Sequence, residues 1–272
     1  MNILSLFDGM SCGQIALNKV GIKYDNYYAS EIDTHAIIVT QANYPNTIQL
    51  GDIHNIKGSD LPQIDLLMGG SPCQSFSSAG SRTGFDGKSR LFWEFVRVLN
   101  EVKPKYFLLE NVKMKKEWED IITKEMGVEP ILINSNLVSA QNRERLYWTN
   151  IPNITQPEDR KIKLSDVLGD DKFREIPKCF YNKWGTKMRI DKGPNWVKNN
   201  KSNCLTTKNC HTNQYLVNDD KSLCRLLNAE EFERLQTIPQ GYTSMVSNTE
   251  RYKMIGNGWT VDVISHIFSS LK

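Results

Sequence analysis

The sequence lacks the features of a secreted or membrane-spanning protein. No stretch approaches the roughly 18 consecutive apolar residues that a transmembrane helix requires. The first nine residues, Met1–Gly9, lack the basic region and the long apolar core of a signal peptide. We therefore expect a cytosolic or nuclear protein with no membrane partner.

The sequence also lacks a cysteine or histidine pattern that would indicate a disulfide framework or a metal site. The six cysteines, in a chain of 272 residues, do not resemble the dense pattern of a small secreted domain. Cys204, Cys210 and His211 form the one cluster that resembles a metal site, but their spacing fits none of the usual zinc patterns. None of the four histidines lies in a motif, so a cysteine hydrolase with a histidine base is set aside.

The composition is that of an ordinary globular protein, with one unusual basic segment. A chain of this length can form one large α/β domain and a smaller second one. The net charge is only +3, but the segment Ile176–Val217 contains eight basic residues and a single acidic one. It therefore carries +7, and the rest of the chain carries −4. Aromatic and amide residues are interleaved with these charges. We therefore favour a nucleic-acid-binding surface over the alternative that the charged residues form a solvent-exposed surface without a partner.

The amino-terminal third of the sequence predicts a pocket for an adenosine cofactor. An apolar strand, Asn2–Leu6, leads into a glycine turn and then a helix, which is how a nucleotide-binding fold begins. Only Gly9 and Gly13 are present, and Asp8 would repel a pyrophosphate, so a cofactor without phosphates is indicated. A second strand ends at Glu31, which could accept hydrogen bonds from both ribose hydroxyls. A third apolar stretch ends at Gly51-Asp52-Ile53, where Asp52 could bind an adenine amino group.

The stretch Gly69–Ser77 contains a candidate nucleophile. It follows the predicted buried strand Ile64–Met68, and Pro72 places Cys73 on a stiff turn at the end of that strand. Ligands bind at this end of the strands in an open α/β sheet, so the thiol is well placed to act as a nucleophile. The alternative is that Cys73 is a small buried apolar residue, as free cysteines often are.

Further along the chain, a carboxylate and two guanidinium groups are candidates for the same site. Glu110 follows the predicted strand Tyr106–Leu109, where it could donate a proton or, alternatively, cap the next helix. Arg143 and Arg145, two apart in an extended chain, are expected to point the same way. They could bind an anion or a base carbonyl together, or form an exposed salt-bridge ladder.

Five motifs in this order resemble those of the DNA cytosine-5 methyltransferases, over nearly the whole chain except the basic segment. They are Phe7-Asp8-Gly9, Pro72-Cys73-Gln74, Glu110-Asn111-Val112, Gln141-x-Arg143-x-Arg145 and Gly256-Asn257. Local details such as Leu91-Phe92-Trp93-Glu94-Phe95 and Val138-Ser139-Ala140 are most similar to catalytic domains of de novo-type enzymes and their phage or bacterial relatives.

The resemblance implies a fold and a domain arrangement. It implies an α/β fold with a doubly wound, mostly parallel sheet, that of the class I S-adenosylmethionine-dependent methyltransferases. Residues 1–150 and 223–272 would form the catalytic and cofactor-binding domain. Residues 151–222 would form a small inserted target-recognition domain, which is short for this family.

The resemblance also implies a reaction in which S-adenosylmethionine methylates C5 of a cytosine flipped out of duplex DNA. Cys73 would attack C6, and Glu110 would donate to N3 in its protonated form. Arg145 would bind O2, and Arg143 would support Glu110 or a phosphate. Asn111 would hold the Pro72–Cys73 turn. The implied cofactor-binding residues are Phe7, Asp8, Gly9, Gly13, Glu31, Ile32, Asp52, Ile53, Pro72, Leu91, Asn257 and Trp259. The implied DNA-binding residues are Gln74, Ser75, Ser77, Arg82, Lys88, Arg90, Lys183, Lys198, Thr206, Thr207 and Lys208.

Two alternatives stay open beside this interpretation. One is a transfer-RNA cytosine-5 methyltransferase, and the other is a non-catalytic DNA-binding paralogue. For the preferred interpretation the expected partner is double-stranded DNA, with a cognate restriction endonuclease as a candidate and no metal. The expected location is the cytoplasm of a bacterial or phage-infected cell. The recognition sequence and the oligomeric state do not follow from the sequence.

Overall fold

The computed structural model describes residues 1–72, 91–169, 174–175, 201–202, 204–205, 215–217 and 223–271. The chain divides into two compact units. The first comprises Met1–Asn134, Glu144–Pro157 and Val261–Lys272, and the second comprises Ser135–Arg143 and Glu158–Thr260. This division differs from the predicted domains, because the second unit also takes in a short segment before residue 144 and most of the carboxyl-terminal region.

The first unit is built on a seven-stranded sheet. Its strands are β1 (Asn2–Leu6), β2 (Asn26–Ser30), β3 (Ile48–Gln49), β4 (Leu66–Gly70), β5 (Tyr106–Val112), β6 (Ile131–Asn134) and β7 (Glu144–Thr149). Their order is β3-β2-β1-β4-β5-β7-β6. Strands β1–β5 are parallel to one another, and β7 lies between β5 and β6 and is antiparallel to both. The predicted mostly parallel sheet is therefore confirmed.

The described residues of the first unit form five α-helices: α1 (Cys12–Lys19), α2 (Thr34–Asn43), α3 (Leu91–Val102), α4 (Lys116–Met126) and, near the carboxyl terminus, α7 (Val261–Ser269). Helix α7 lies against α1, where Asp262 pairs with Lys19 and the Ser265 hydroxyl donates to the carbonyl of Ala16. Helix α7, near the carboxyl terminus, thus packs against the first helix of the chain.

Apolar side chains on both the sheet and the helices form the core of this unit. In α3, Phe92 and Phe95 are fully buried and pack with Leu67 of β4 and Trp148 of β7. Burying a phenylalanine is worth roughly 1.5–3 kcal/mol, so this face of α3 fixes the helix on the sheet. Trp93, on another face of α3, is 40% exposed.

The strand order reverses between β1 and β4, which creates a switch point at the carboxyl ends of the parallel strands. Strands β2 and β3 extend the sheet on one side of β1, whereas β5 continues it beyond β4. The loops that follow β1, β2 and β4 therefore leave from one edge of the sheet. In open α/β sheets this crevice is where ligands bind.

The second unit contains helices α5 (Ala229–Leu235) and α6 (Asn248–Asn257) and a small antiparallel sheet. The strands of this sheet are β8 (Arg174–Glu175), β9 (Tyr215–Val217) and β10 (Leu223–Leu226), with β10 in the centre. Helix α5 begins with a capping box, since the side chains of Asn228 and Glu231 accept each other's backbone N–H groups. Within the described part of both units, no helix is long and apolar enough to cross a membrane.

Candidate active site

The loop after β1 has an unusual backbone. Phe7, Gly9 and Ser11 all adopt left-handed conformations, with φ of 56°, 59° and 65°. Glycine tolerates this geometry, but it is strained for a phenylalanine. Strain of this kind persists where the surrounding structure enforces it and is concentrated at ligand sites. The predicted glycine turn therefore lies at the switch point between β1 and β4, and its backbone is held in a strained conformation.

Glu31 at the end of β2 ties two predicted cofactor loops together. Its Oε2 accepts the N–H of Gly9 at 2.7 Å, and its Oε1 accepts the N–H groups of Ile32 and Asp33, each at 2.8 Å. The Ile32 side chain is 73% exposed, which is unusual for so large an apolar group. A fixed carboxylate beside an exposed apolar side chain suits a ribose and the face of an adenine.

Asp8 lies in a polar cluster that was not evident from the sequence. Its carboxylate accepts the hydroxyls of Ser11 and Tyr27, both at 2.7 Å. Burial raises the pKa of Asp8 from 3.8 to about 6, although these hydroxyls oppose the shift, and the nearby Glu31 adds to it. Asp8 therefore changes charge close to neutral pH.

The raised pKa of Asp8 predicts a pH-dependent stability that the Asp8→Asn variant lacks. The folded state holds the proton up to about pH 6, whereas the unfolded chain releases it near 3.8. The stabilisation from this group is thus fully present below the unfolded pKa and is lost as pH rises through the folded pKa. The unfolding free energy of Asp8→Asn minus that of wild type should therefore increase by about 1–3 kcal/mol when the pH is raised from about 4 to about 7.5.

Urea unfolding of wild type and Asp8→Asn at those two pH values measures this gain. Asp60→Asn removes an exposed carboxylate and controls for the change in net charge. If the difference between wild type and Asp8→Asn is the same at both pH values, the titration assigned to Asp8 is wrong.

The predicted adenine-binding loop follows β3. Gly51 has a φ of 72°, and its carbonyl accepts the hydroxyl of Ser30 at 2.8 Å. Asp52 caps a short 3₁₀ turn, Ile53–Asn55, by accepting the backbone N–H of His54 and contacting its ring Nδ1. These contacts hold the pKa of Asp52 below its usual value. Its carboxylate is fixed and half-exposed, as an acceptor for an amino group should be.

Gly13, predicted to bind cofactor, allows close packing of α1 on the sheet. A Cβ at this position would lie 2.5 Å from the terminal methyl group of Met68 and 3.0 Å from the hydroxyl of Tyr27. A larger residue at this position would therefore require the end of the buried Met68 side chain to move, whatever else the loop binds.

Glu110 lies within β5 and forms an ion pair with Arg145 of β7. Tyr106–Val112 is one continuous strand, so the predicted strand end at Leu109 is wrong. Glu110 Oε1 and Arg145 Nε are 2.9 Å apart, and both side chains are largely buried. Helix α4 has Lys115 as its N-cap, so the alternative role of Glu110 as a cap of that helix is excluded.

The strand register brings this pair to the carboxyl end of β4. Glu110 lies opposite Gly70, and Arg145 lies opposite Val112, so Glu110 and Arg145 are diagonal neighbours on one face. Because β7 runs antiparallel, the start of that strand reaches the edge where β4 and β5 end. Two of the four predicted catalytic residues are thereby brought together.

Asn111 contacts the backbone that precedes the predicted nucleophile. Its side-chain Nδ2 donates to the hydroxyl of Ser71 at 3.0 Å and to the carbonyl of the same residue at 3.4 Å. Ser71 and Asn111 are both buried. Asn111 thus restrains the residue that precedes Pro72. Cys73 itself lies outside the described residues.

Arg143 belongs to the second unit, where its guanidinium is buried against main-chain carbonyls. It donates to the carbonyls of Leu205, Gly256 and Gly258 at 3.2, 3.1 and 2.9 Å. Strand β7 begins at Glu144, so Arg143 precedes the strand and the expected alternation with Arg145 does not apply. The two guanidinium groups therefore have different partners.

Gln141 and Gln236 extend this buried network. Gln141 Oε1 accepts the N–H of Leu205 at 2.8 Å, and its Nε2 is 3.2 Å from the Gln236 side-chain oxygen. Gln236 Nε2 in turn donates to the carbonyls of Ile255 and Gly258. Sequence analysis missed Gln236, because an isolated amide beside α5 carries no local signal of burial.

One lysine of the basic segment has a structural role. Lys201 Nζ donates to the carbonyls of Asn136, Ser139 and Ile162. Desolvation lowers its pKa. Lys201 therefore differs from the surface cations expected of that segment. Among the described residues, no group of three or more histidine, cysteine or acidic side chains could hold a metal ion.

The remaining predicted positions are divided between the two units and the residues that are not described. Pro72 directly follows the buried Ser71, and Leu91 begins α3, both in the first unit. Asn257 ends α6 and is exposed, and Trp259 follows the Gly258 cap, both in the second unit. All eleven predicted DNA-binding residues lie outside the described residues: Gln74, Ser75, Ser77, Arg82, Lys88, Arg90, Lys183, Lys198, Thr206, Thr207 and Lys208.

The strand order, the loop after β1 and the carboxylate after β2 define a class I methyltransferase fold. A solved structure supports this class: the Dnmt2 methyltransferase of S. pombe superposes with a TM-score of 0.73 at 20% identity, covering 99% of this chain and 97% of that one. The model of the C-5 cytosine-specific DNA methylase family matches residues 1–177 and 147–272. The chain belongs to this family, whose members are cytosine-5 DNA methyltransferases.

Two curated relatives show how far the similarity extends. The type II methyltransferase M.Bsp6I of Bacillus sp. (strain RFL6) is 31% identical over 310 residues, covering all of this chain and 98% of that protein. The orphan methyltransferase M.SPRI of Bacillus phage SPR is 35% identical over 212 residues, covering 71% of this chain. The match spans only 48% of the phage protein.

Proposed function

We propose that the protein transfers a methyl group from S-adenosylmethionine to C5 of a cytosine flipped out of duplex DNA, through a covalent bond between Cys73 and C6. The observation that carries this proposal is the Glu110–Arg145 pair beside the end of β4, where Asn111 restrains Ser71. A nucleophile on that turn would share one sheet edge with an acid and a cation, which is the set this reaction needs.

The described residues fit S-adenosylmethionine better than a phosphate-bearing cofactor. The loop after β1 carries a carboxylate, and no lysine or arginine occurs before Lys19. Such a loop favours a cationic sulfonium over a pyrophosphate. Glu31 would bind the ribose, Ile32 and Ile53 would line the adenine, and Asp52 would accept its amino group. The bound cofactor would supply an electrophilic methyl group to C5.

Cytosine C5 is a weak nucleophile, and the protein side chains must activate it. The Cys73 thiolate attacks C6, and the electron pair that leaves the C5–C6 double bond makes the ring an enamine. Charge that develops on N3 and O2 needs stabilisation at that moment. Glu110, in its protonated form, donates to N3, and Arg145 donates to O2. After methylation the C5 proton passes to water and the C6–S bond breaks, which regenerates the free thiolate. N3 returns its proton to Glu110.

Arg143 is proposed to have a structural role within the second unit rather than to touch the base. Its three carbonyl partners and the Gln141 contact to Leu205 hold together the second unit. Cytosine must leave the duplex stack at a cost of a few kcal/mol. The segment Gln74–Arg90 lies outside the described residues, and it is proposed to supply Arg82, Lys88 and Arg90 to the DNA backbone.

Sequence preference is proposed to reside in residues 151–222. Lys183→Ala and Lys198→Ala should weaken binding to all DNA sequences alike, and each lost phosphate contact should lower the salt dependence by about one unit. Thr206→Ala, Thr207→Ala and Lys208→Ala should instead relax the choice of bases next to the cytosine within a site of about two to four base pairs.

Methylation of a randomised duplex pool, followed by bisulfite sequencing, measures that preference for each variant. A changed preference in the Lys183 and Lys198 variants, together with an unchanged one in the Thr206 and Lys208 variants, would refute this division of roles.

The nature of the substrate is tested by comparing methyl incorporation into duplex DNA and into transfer RNA. We expect incorporation into DNA, in keeping with the family model. Efficient transfer to transfer RNA with none to DNA would favour the RNA alternative, whereas no transfer to either would favour the non-catalytic paralogue. The S. pombe likeness does not decide this point, because at 20% identity it shows the fold alone.

A further inference from the structure

The connection between β3 and β4 carries the proposed adenine-binding residues but contains no strand or α-helix. It runs from Leu50 to Asp65 and is interrupted only by two short 3₁₀ turns, Ile53–Asn55 and Gly58–Asp60. Short turns of this kind supply few backbone hydrogen bonds of their own. Contacts from outside the connection must therefore define its conformation.

Arg97 of α3 supplies two of those contacts. Its Nη2 donates to the carbonyl of Ile53 and its Nη1 to the carbonyl of Ile56, both at 2.9 Å. The two carbonyls bracket the 3₁₀ turn that Asp52 caps. A planar guanidinium with several donors in a fixed fork can hold two acceptors at once, which an ammonium cannot do equally well.

Two acidic residues of α3 fix the guanidinium in turn. Glu94 and Glu101, three residues before and four residues after Arg97, each accept from it at 2.8 Å. The second carboxylate oxygen of Glu101 accepts the N–H of Gly58 at 2.7 Å, beyond the Ile53–Asn55 turn. Helix α3 thus binds the connection at three successive points.

We propose that Arg97 is a positioning residue for cofactor binding. It fixes the loop that carries Asp52 and Ile53 to the helix that begins at Leu91, so that two walls of the proposed adenosine pocket form one rigid surface. This inference rests on the proposed function, since it names the residue that orders the adenine end of that site. The side chain acts through its hydrogen bonds to the loop carbonyls, so this role needs no contact with the cofactor.

The test is the affinity for S-adenosylhomocysteine, measured by titration calorimetry without DNA. Arg97→Met keeps the length of the side chain but removes every donor, and we expect its dissociation constant to rise about 10- to 100-fold. Arg97→Lys keeps one point-like donor group, so its dissociation constant should lie between those of wild type and Arg97→Met. Glu101→Gln should shift affinity in the same direction by a smaller factor. Lys116→Met removes an exposed ion-pairing cation from α4 and should bind like wild type.

Steady-state kinetics separates positioning from a general loss of stability. Arg97→Met should raise KM for S-adenosylmethionine and leave kcat at saturating cofactor within about threefold, with KM for DNA unchanged. Unaltered S-adenosylhomocysteine affinity in Arg97→Met, or a fall in kcat alone, would overturn the role of Arg97. If the wild-type protein bound no S-adenosylhomocysteine, the proposed function itself would fail, which is a distinct result.

Discussion

Replacing Cys73 with alanine should abolish methyl transfer and leave cofactor affinity within about threefold of wild type. Without a nucleophile at C6 the ring stays aromatic, and C5 cannot accept an electrophile at a useful rate. We expect turnover to fall by at least about 10⁴, as removal of a catalytic nucleophile does in other enzymes. The thiol acts only after the base has left the stack, so it should contribute little to cofactor binding. Methyl incorporation into duplex DNA and calorimetric titration with S-adenosylhomocysteine measure the two effects.

Cys12→Ala provides the control, since it removes a buried thiol at the start of α1. This variant should retain most of the turnover. Substantial turnover in Cys73→Ala would eliminate the covalent mechanism, whereas equal losses in both variants would point to a general sensitivity to cysteine replacement.

Replacing Glu110 with glutamine should lower turnover by about 10²–10⁴ and change cofactor affinity little. The amide keeps the shape of the side chain and one acceptor for Arg145, but it has no transferable proton for N3. The paired Arg145 would also lose the negative charge that lies 2.9 Å from its Nε. Single-turnover methylation at saturating cofactor isolates this step from product release.

Glu144→Gln is a matched control on the adjacent strand. Glu144 begins β7, is exposed and pairs with Lys113 at 3.5 Å, so its loss should leave turnover almost unchanged. An unchanged rate in Glu110→Gln would reduce the Glu110–Arg145 contact to a structural ion pair between two strands.

The first strand and the order of the chemical motifs could be predicted because their signals are local. β1 runs from Asn2 to Leu6, as its apolar residues indicated. A carboxylate or a glycine turn follows each of the next two strands. Such features reflect the preferences of a few adjacent residues, and a single sequence displays them directly.

The end of β5 and the position of Arg143 could not be predicted, because both depend on distant partners. Strand β5 continues through Val112 because Asn111 and Val112 pair with Leu146 and Arg145 of the antiparallel β7. Nothing near residue 110 in the sequence reveals that pairing. Arg143 has the same charge as Arg145, but its carbonyl partners are more than 60 residues away in the chain.

For Arg97, the sequence indicates some of the contacts of the side chain but not all of them. The spacing of Glu94, Arg97 and Glu101 is that of ion pairs on one helical face. Such triads are ordinarily solvent-exposed and contribute little. Only the structure shows that the guanidinium also binds the carbonyls of Ile53 and Ile56.

The most direct test of the covalent mechanism uses a duplex in which the target cytosine carries fluorine at C5. After methyl transfer no proton can leave C5, so the bond between sulfur and C6 cannot break. With S-adenosylmethionine present, wild-type protein should form a DNA adduct that survives denaturing electrophoresis, and peptide mapping should locate it at Cys73. Cys73→Ala should form none. An active wild-type enzyme that leaves the fluorinated duplex free, or an adduct on another residue, would contradict the proposed mechanism.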